Sequence, residues 1–471
     1  MNVIADLQLH SKYARAVSQY MVLPEIDMWA RRKGIGLVAT GDWTHPLWMK
    51  EIKTHLEEIG NGLLKLKSQS SNVKTVVDFK EIGVESPHFM LATEVSCIYT
   101  QGGKVRRVHT LIWAPTIATA EKINQELIKR GCNLMSDGRP ILGLTSIELA
   151  DLIFTIDERC MIIPAHAWTP WFALYGSMSG FDSLDEAFGP FSQYIYAIET
   201  GLSSDPAMNW RIKELDNRSI VSFSDAHSGP KIGREATVFK IKDQKAKSKD
   251  TEQNSKSLEI SYEDIRRALM RDDEGDWEIG YTVEFYPEEG KYHYNGHRAC
   301  GIKQTPEETR AKGDTCPVCT KPLTVGVMHR VEDLASRTTE DVQLKTIHIG
   351  ESSNGIASEA FPQRPPYVMM VPLQEILSEA VGTAVGTMKV QTAYMKLIKA
   401  CGGEFRTLLG APLAEIEAVV GEHIAEGIDR VRRGSIIIDP GYDGVYGHVQ
   451  IWGKEEKAQA KKKDKGQLRM F

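Results

Sequence analysis

Residues 1–240 alternate short apolar, β-rich runs with longer stretches of helical periodicity. This alternation predicts parallel strands joined by crossover helices, because parallel neighbours cannot be connected by a tight hairpin. About seven such runs over this length favour an α/β barrel over an open sheet. The predicted strands are Val3–Leu7, Gly36–Thr40, Met90–Glu94, Val108–Trp113, Met161–Ala165, Tyr194–Glu199 and Ser219–Ser224. The predicted helices are Pro24–Lys33, Pro46–Leu66, Ala118–Arg130 and Ser146–Ile156.

The composition of the chain and the lack of nucleotide-binding motifs exclude several classes of function. No glycine-rich dinucleotide loop or P-loop follows any predicted strand, so no nucleotide cofactor is expected. The net charge of −6, from 57 basic and 63 acidic residues, means that a nucleic-acid ligand would need a local basic groove. No apolar run is long enough for a membrane span, and the first residues lack a secretory signal pattern. Seven cysteines fit reduced thiols, so a cytoplasmic protein without a membrane partner is expected.

Acids and histidines fall where successive predicted strands end. In a barrel of parallel strands these ends converge on the face where active sites form. Imidazole and carboxylate together suit zinc, manganese or iron, and a set of this size can hold two or three ions. One member, His109, fits less well because it lies early in its predicted strand. The candidate ligands are His10, Asp42, His45, Glu94, His109, His166, Asp225 and His227.

A second cluster of potential ligands combines histidine and cysteine. His297 and Cys300 form one short pair, and Cys316 and Cys319 form another after fifteen intervening residues. Two short pairs separated by a loop are typical of structural zinc. His293 is an alternative to His297 as the fourth ligand.

The sequence therefore divides into four predicted regions. Residues 1–288 form the barrel, with a charged, exposed insertion at 242–257, and residues 289–326 form a small zinc-binding module. Residues 327–452 are predicted to be mostly helical, with helix–glycine–helix pairs that can place backbone amides against DNA phosphates. Residues 453–471 read as a flexible, Lys-rich tail.

Several segments carry a family resemblance. ADLQLHS, ATGDWTHP, ATEVS, VHTLIWAP, IIPAHAWTP, AIETG and SFSDAHSG resemble the successive motifs of the PHP (polymerase and histidinol phosphatase) domain. Together with HRAC…CPVC and PGYDGVYG, their order is similar to the endonuclease Q family. The resemblance implies a distorted (βα)7 barrel with a multinuclear site for zinc, manganese or magnesium. It also implies an enzyme that nicks damaged DNA 5′ to hypoxanthine, uracil, xanthine and abasic sites.

The resemblance assigns roles and exposes one departure. It implies that Asp225 and Glu94 are catalytic carboxylates. The usual first motif is His-x-His, whereas this chain has Gln8 before His10, and an amide is a poorer zinc ligand than imidazole. Gln8 therefore leaves open a DNA-binding scaffold with an impaired metal site. A PHP phosphoesterase acting on a small phosphate ester or on DNA ends is the other alternative.

Two further segments suggest contacts with substrate and partner. An enzyme that inspects one base must usually extrude it and stack it on aromatic side chains, so a base pocket is expected after His166. Its candidates are Trp168, Trp171, Ser177 and Ser179. The final residues look like the pentapeptide by which bacterial proteins bind the replicative sliding clamp, with Met in place of the usual Leu. The candidate contacts are Gln467, Leu468, Met470 and Phe471.

Overall fold

The computed structural model describes residues 2–68, 84–242, 259–350 and 352–453, and these form a mixed α/β protein built on a 13-stranded sheet. The strands are β1 (Asn2–Asp6), β2 (Leu37–Ala39), β3 (Leu56–Glu58), β4 (Leu64–Leu66), β5 (His88–Gln101), β6 (Lys104–Ala114), β7 (Ile141–Leu142), β8 (Met161–Pro164), β9 (Ala197–Glu199), β10 (Ser219–Val221), β11 (Ala236–Ile241), β12 (Trp277–Glu284), β13 (Asn295–His297), β14 (Ile302–Gln304), β15 (Leu344–Ile349), β16 (Ser353–Ser358), β17 (Tyr367–Met369), β18 (Ile437–Asp439) and β19 (His448–Gln450).

The helices are α1 (Leu23–Lys33), α2 (Pro46–His55), α3 (Ile117–Lys129), α4 (Ser146–Ile156), α5 (Leu184–Phe188), α6 (Pro206–Trp210), α7 (Tyr262–Leu269), α8 (Pro306–Lys312), α9 (Val327–Leu334), α10 (Leu373–Val381), α11 (Met388–Cys401), α12 (Glu404–Leu409), α13 (Leu413–Val420) and α14 (Glu422–Arg432). Helix α4 begins with a capping box, in which Thr145 and Glu148 satisfy each other's backbone amides. None of the helices in these ranges is long and apolar enough to cross a membrane.

Seven strands follow one another in a ring of pairings. Strand β1 pairs in parallel with β2, and β2 with β5, while β6 connects β5 to β8. The ends of β8 and β9 meet through the Ala167 amide and the Glu199 carbonyl, and β9 pairs in parallel with β10. A bridge between Leu9 and Ala226 leads back to β1. The carboxyl ends of β1, β2, β8, β9 and β10 therefore surround one point, which β5 reaches midway along its length, at Glu94.

The exception is β6, where the all-parallel prediction is wrong. Strands β5 and β6 form a long antiparallel hairpin, turned at Gly102 and Gly103, which both have positive φ. Reversal brings the middle of β6, rather than its carboxyl end, to the convergence point. His109 lies there opposite Ser96, which explains its early position in the predicted strand.

Three other segments differ from the sequence-based expectation. The helix predicted over 46–66 ends at His55, and the chain continues as the β3–β4 hairpin, where Leu56 and Leu64 alternate with exposed polar residues. Residues 344–369, expected to be helical, form β15–β17, because β-branched residues flank the turn at Gly350, which has positive φ. Strand β11 was not predicted, and it pairs antiparallel with β1.

The remainder of the chain packs on this framework. Strands β13 and β14 form a hairpin followed by α8, and helices α10–α14 follow β17 in sequence. The short β return expected at 435–452 is confirmed as the antiparallel pair β18–β19. One continuous hydrophobic core extends from Ala5 in β1 to Trp452 beyond β19, so the carboxyl-terminal helices share their core with the ring. The charged insertion lies outside the described residues, apart from its first residue, Lys242.

Candidate metal centre

Three of the candidate ligands follow strands by a few residues, on backbone that few side chains adopt. Asp42, His166 and Asp225 have φ values of 40°, 32° and 45°. Left-handed backbone at a non-glycine residue costs free energy and persists only where surrounding structure imposes it. Three such residues in one cluster are typical of a functional site.

Glu94 lies between two groups of side chains. Its Oε2 is 3.3 Å from His10 Nε2, and its Oε1 is 2.6 Å from His109 Nδ1. The ligand atoms of each of two trios lie within 4.8 Å of one another. These trios are His10, Asp225 and His227, and Glu94, His109 and His166. A carboxylate with one oxygen toward each trio is suited to bridge two cations.

Acceptor atoms crowd around His10 in the first trio, and a positive charge among them would stabilise this arrangement. The Nδ1–H of His10 donates to Asp42 at 2.9 Å, so in the neutral imidazole the lone pair is on Nε2. That lone pair faces Asp225 Oδ1 at 3.2 Å as well as Glu94 Oε2. Three acceptor atoms at these distances repel one another unless a proton or a metal cation lies among them.

Unpartnered buried atoms point to the same place. Gln8 Oε1, His10 Nε2 and Asp225 Oδ1 are all buried and find no hydrogen-bond partner in the described part of the chain. The Gln8 Nε2 donates to Glu94 Oε2 at 2.9 Å, so its carbonyl oxygen remains available as a ligand. Imidazole, carboxylate and amide oxygen form a donor set that suits a divalent ion.

The pKa directions follow from this crowding of charge. Burial disfavours the charged form of His10, but Asp42, Asp225 and Glu94 outweigh burial and raise its pKa well above the usual value. The pKa of Glu94 is held well below its ordinary range against burial, chiefly by the positive charge of Arg139. Burial lowers the pKa of His109 to about 4, which keeps its imidazole neutral and available as a ligand.

Two predicted ligands face elsewhere. Asp42 accepts from His10 on one oxygen, and from the Ser11 amide and hydroxyl on the other at 2.6 and 2.7 Å. It therefore orients the imidazole, as carboxylates behind ligating histidines commonly do. His45 begins α2, and its ring stacks on Tyr13 at 4.4 Å between centroids. Neither residue belongs to the two trios.

Arg139 and Glu199 complete the surroundings. The Arg139 side chain is one-quarter exposed, and its Nη1 lies 3.2 Å from Glu94 Oε1. Arg139 is an isolated arginine in the SDGRP loop, and no sequence pattern indicated its role. Glu199 accepts from the backbone amides of His166 and Gly201, so it fixes the loop that carries His166. Burial raises the pKa of Glu199 to about 8.

The aromatic segment after His166 is divided between core and surface. Trp168 is fully buried, and its Nε1 donates to Asn209 at 2.8 Å. Ser179 is also buried, and its hydroxyl accepts from the Phe172 amide. Trp171 is half-buried against Tyr292, and the half-buried Ser177 donates to the Val325 carbonyl at 3.3 Å. Of the aromatic residues in this segment, Trp171 and Phe172 are the ones at the surface.

The second metal-ligand cluster is brought together as a group of four. His297, Cys300, Cys316 and Cys319 offer ligand atoms within 4.8 Å of one another, and Cys319 Sγ is 3.5 Å from His297 Nδ1. His297 ends β13, and Cys300 lies in the turn that leads to β14. Thr320, which follows the second pair, has a φ of 61°. His293 is buried beside Tyr294 and does not belong to this group. The candidate clamp contacts at the carboxyl terminus lie outside the described residues.

Comparisons with sequences of known proteins identify several relatives. A family model described as the MJ0043 C-terminal domain matches residues 372–435. The chain is 28% identical over 299 residues to the uncharacterized protein MJ0043 of Methanocaldococcus jannaschii, covering 62% of this chain and 33% of that protein. It is 28% identical over 345 residues to the uncharacterized protein YqxK of Bacillus subtilis (strain 168), covering 73% and 74% of the two chains. The chain thus spans about a third of its M. jannaschii relative.

Two crystal structures are similar over nearly their whole length. The lesion-specific endonuclease PfuEndoQ from Pyrococcus furiosus matches with a TM-score of 0.75 and 30% identity, over 96% of this chain and 95% of that one. A complex of endonuclease Q with a 27-mer duplex, which has an abasic lesion at the active site, matches with a TM-score of 0.75 and 31% identity. That match covers 97% of this chain and 98% of the other.

Proposed function

The chain belongs to the endonuclease Q family, and from this premise we propose that it is a metal-dependent DNA repair endonuclease. It nicks the phosphodiester bond 5′ to hypoxanthine, uracil, xanthine and abasic sites. The observation that carries the proposal is the similarity, over nearly the whole of both chains, to a relative that holds a duplex with an abasic lesion at its active site. The ring of seven strands is the PHP barrel in this proposal.

The chemistry rests on the two trios around Glu94. Divalent ions bound there would polarise a phosphate and activate water at neutral pH. His10, Asp225 and His227, with the carbonyl of Gln8, would hold one ion, and His109 and His166 the other. Glu94 would contribute one oxygen to each group. Products with a 3′-hydroxyl and a 5′-phosphate are expected.

The remaining polar residues position this machinery. Asp42 holds the proton on Nδ1 of His10 and thereby keeps Nε2 free to bind a cation. Arg139 stands beside Glu94 with part of its guanidinium exposed, and a phosphate oxygen is a strong acceptor for that group. Arg139 therefore contacts the phosphate that is cleaved.

The surface beside His166 is suited to the damaged nucleotide. The Thr169 hydroxyl lies 3.3 Å from His166 Nδ1 and donates to the Trp171 carbonyl at 2.9 Å, which couples this aromatic residue to a metal ligand. Trp171 packs against Tyr292, at the edge of the zinc-binding module. An extruded base would stack on Trp171 and Phe172, while the buried Trp168 and Ser179 shape the loop from beneath.

The other regions support binding to DNA and to a partner. The His297–Cys319 group holds zinc and stabilises a module too small for its own core. Helices within 372–435 contact the duplex backbone. The terminal residues Gln467–Phe471 bind the sliding clamp.

A nicking assay tests the proposal. Duplexes carrying one inosine, uracil, xanthine or abasic site are incubated with zinc, manganese or magnesium, alongside an undamaged duplex. Cleavage 5′ to the lesion is expected, and Asp225→Asn should retain DNA binding but lose cleavage, because the DNA surface keeps its charge. Hydrolysis of a small phosphate ester without nicking would indicate the phosphoesterase alternative, and DNA binding without hydrolysis would indicate a scaffold.

A further inference from the structure

A cavity lies at the end of the barrel opposite the metal centre. It has a volume of about 230 Å³. Strand β10 starts at this cavity with Ser219 and leads away to Asp225, and β12 starts there with Trp277. Strand β12 is antiparallel to β11, which is antiparallel to β1, so β12 runs in the same direction as β1. The cavity is therefore at the amino ends of the strands, and the metal ligands are at the carboxyl ends.

The lining of this cavity is rich in cations. They are Arg218, Lys242, Arg271 and Arg364. Three of the four donate to backbone carbonyls and have no carboxylate partner in the described ranges. Arg218 donates to Ser192 at 3.1 Å and Arg271 to Asp216 at 2.8 Å. Lys242 donates to the Asp272 and Asp273 carbonyls at 2.7 and 3.1 Å.

Arg364 is the buried member of the group. It is 5% exposed, and burial lowers the pKa of its guanidinium to about 10. Its carboxylate partner, Asp216 at 3.1 Å, also accepts from Arg337 on both oxygens. The Nε atoms of Arg364 and Arg218 are buried without a hydrogen-bond partner within the described segments.

The acidic residues of the lining do not neutralise this charge. Asp272 pairs with Arg267 at 2.7 Å, and Glu278 pairs with Lys240 at 3.2 Å. The third acidic residue, Asp273, is exposed and can offset at most one of the four cations. An unneutralised group of buried or half-buried cations is unfavourable unless an anion joins it. The cavity thus combines excess positive charge, unused N–H donors and space.

We propose that this cavity binds the phosphate group of a small phosphate monoester, and that the site is separate from the nuclease centre. A monoester carries close to two negative charges at neutral pH, which matches the charge of the lining. Guanidinium groups form paired hydrogen bonds with phosphate oxygens. The apolar surface of Trp210, Trp277 and Ile220 covers the organic part of the ester.

The volume of the cavity limits which phosphate compounds can bind in it. At about 30 Å³ for each water molecule, the cavity holds roughly eight waters, which is room for a phosphate and a sugar but not for a duplex. Binding would also join two parts of the chain, because Arg218 and Arg271 belong to the barrel, and Arg364 precedes β17. A bound ester should therefore raise the melting temperature.

The test is calorimetric titration and thermal melting of the full-length, metal-loaded protein. Ribose 5-phosphate is compared with inorganic phosphate, with uncharged ribose, and with oligonucleotides that carry or lack a 5′-phosphate. Ribose 5-phosphate should bind most tightly, ribose should not bind, and a 5′-phosphate should add nothing to oligonucleotide binding. Equal affinity for inorganic phosphate and the ester would disprove the ester assignment, and tighter binding of the phosphorylated oligonucleotide would point to a DNA end instead.

Substitutions place the ligand in the cavity. Arg218→Gln and Arg271→Gln should each weaken ester binding by about tenfold or more, because each removes a charge-assisted hydrogen bond. Arg159→Gln is the matched control, since Arg159 pairs with Asp157 on the surface at 2.8 Å. Nicking of a short duplex should be unchanged in all three. Binding that survives Arg218→Gln and Arg271→Gln would place the phosphate at the metal centre and overturn the proposal, as would the absence of saturable binding at millimolar concentrations.

Discussion

Some residues at the candidate metal centre face the cluster as candidate ligands, and others position those ligands. Their positions in the sequence distinguish these two roles only in part. The order of acids and histidines along the chain predicted the two trios and Glu94, because carboxyl ends of neighbouring strands meet. It could not show that Asp42 faces the far side of His10, or that His45 stacks on Tyr13. Those outcomes depend on side-chain direction at left-handed backbone, which spacing does not encode.

The first prediction at this scale concerns Asp42. Replacing it by alanine removes the acceptor that fixes the His10 proton on Nδ1, and outer partners of this kind typically account for about 10–100-fold in metal affinity. Asp42→Ala should therefore lower metal affinity by that factor while His10 remains in place. Competition titration with a chromophoric chelator measures it, and His45→Ala, which leaves both trios intact, is the control. Unaltered affinity in Asp42→Ala would mean that Asp42 has no part in holding the metal.

Gln8 provides the second prediction. Its carbonyl oxygen is a buried candidate ligand atom that has no hydrogen-bond partner among the described residues, and an amide oxygen is a weaker zinc donor than imidazole. Gln8→His should raise zinc content and the nicking rate, since it restores a stronger donor at an existing ligand position. Elemental analysis and single-turnover nicking measure these quantities, with Gln8→Ala for comparison. If Gln8→His and Gln8→Ala both match the parent, the side chain at position 8 is not a ligand.

At the level of elements, the sequence predicted which segments form strands better than it predicted the directions in which those strands run. Six of the seven predicted ring strands are parallel as expected, yet β6 is reversed because the turn at Gly102 and Gly103 folds it back on β5. Strand β9 has only three residues, and it is recognised by the burial of all three rather than by its length. The Cys/His spacing was sufficient to predict the four-residue group, because two short turns bring each pair together locally.

The prediction for that module is a loss of stability with a loss of metal. Cys316→Ser combined with Cys319→Ser should release one zinc equivalent and lower the melting temperature, because structural zinc contributes on the order of 10 kcal/mol of apparent binding free energy in small modules. Inductively coupled plasma spectrometry and calorimetry measure the two effects. The double substitution Cys97→Ser with Cys160→Ser alters thiols outside this group and should keep the zinc. If the two double variants contain equal amounts of zinc, the four-residue Cys/His group is not the zinc site.

At the scale of the whole molecule, a buried ion pair joins the barrel to the carboxyl-terminal helices. Lys33 at the end of α1 lies 2.8 Å from Glu404 in α12, and both side chains are almost fully buried. Tyr394 also donates to Glu404 at 2.8 Å, and the other carboxylate oxygen accepts from the Leu373 amide. No sequence pattern indicated this pairing, since its partners are separated by most of the chain.

Breaking the pair from one side should be costly. Glu404→Gln leaves Lys33 charged and buried without its partner, which typically destabilises a protein by about 3–5 kcal/mol. Chemical denaturation measures the loss, and nicking by the folded fraction should be unaffected. Lys33→Met with Glu404→Gln removes the stranded charge and should recover much of the stability. A double variant no more stable than the single one would show that the charge is not the cause.

The final prediction concerns the carboxyl terminus, whose residues beyond 453 lie outside the described part of the chain. Deleting Gln467–Phe471 should leave nicking of a short oligonucleotide unchanged and abolish binding to the bacterial sliding clamp, because the deleted residues include no His, Cys, Asp or Glu that could serve either trio or the Cys/His group. The Lys-rich composition of residues 454–466 predicts a linker, and a flexible linker of about 13 residues would span roughly 20 Å. That span lets the catalytic body act beside a clamp on the same duplex, which raises its effective concentration on DNA. Calorimetric titration with purified clamp compares the full chain, the truncated chain and a Leu468→Ala, Phe471→Ala variant. Only the full chain should bind, and equal binding by all three would place the clamp contact elsewhere on the protein.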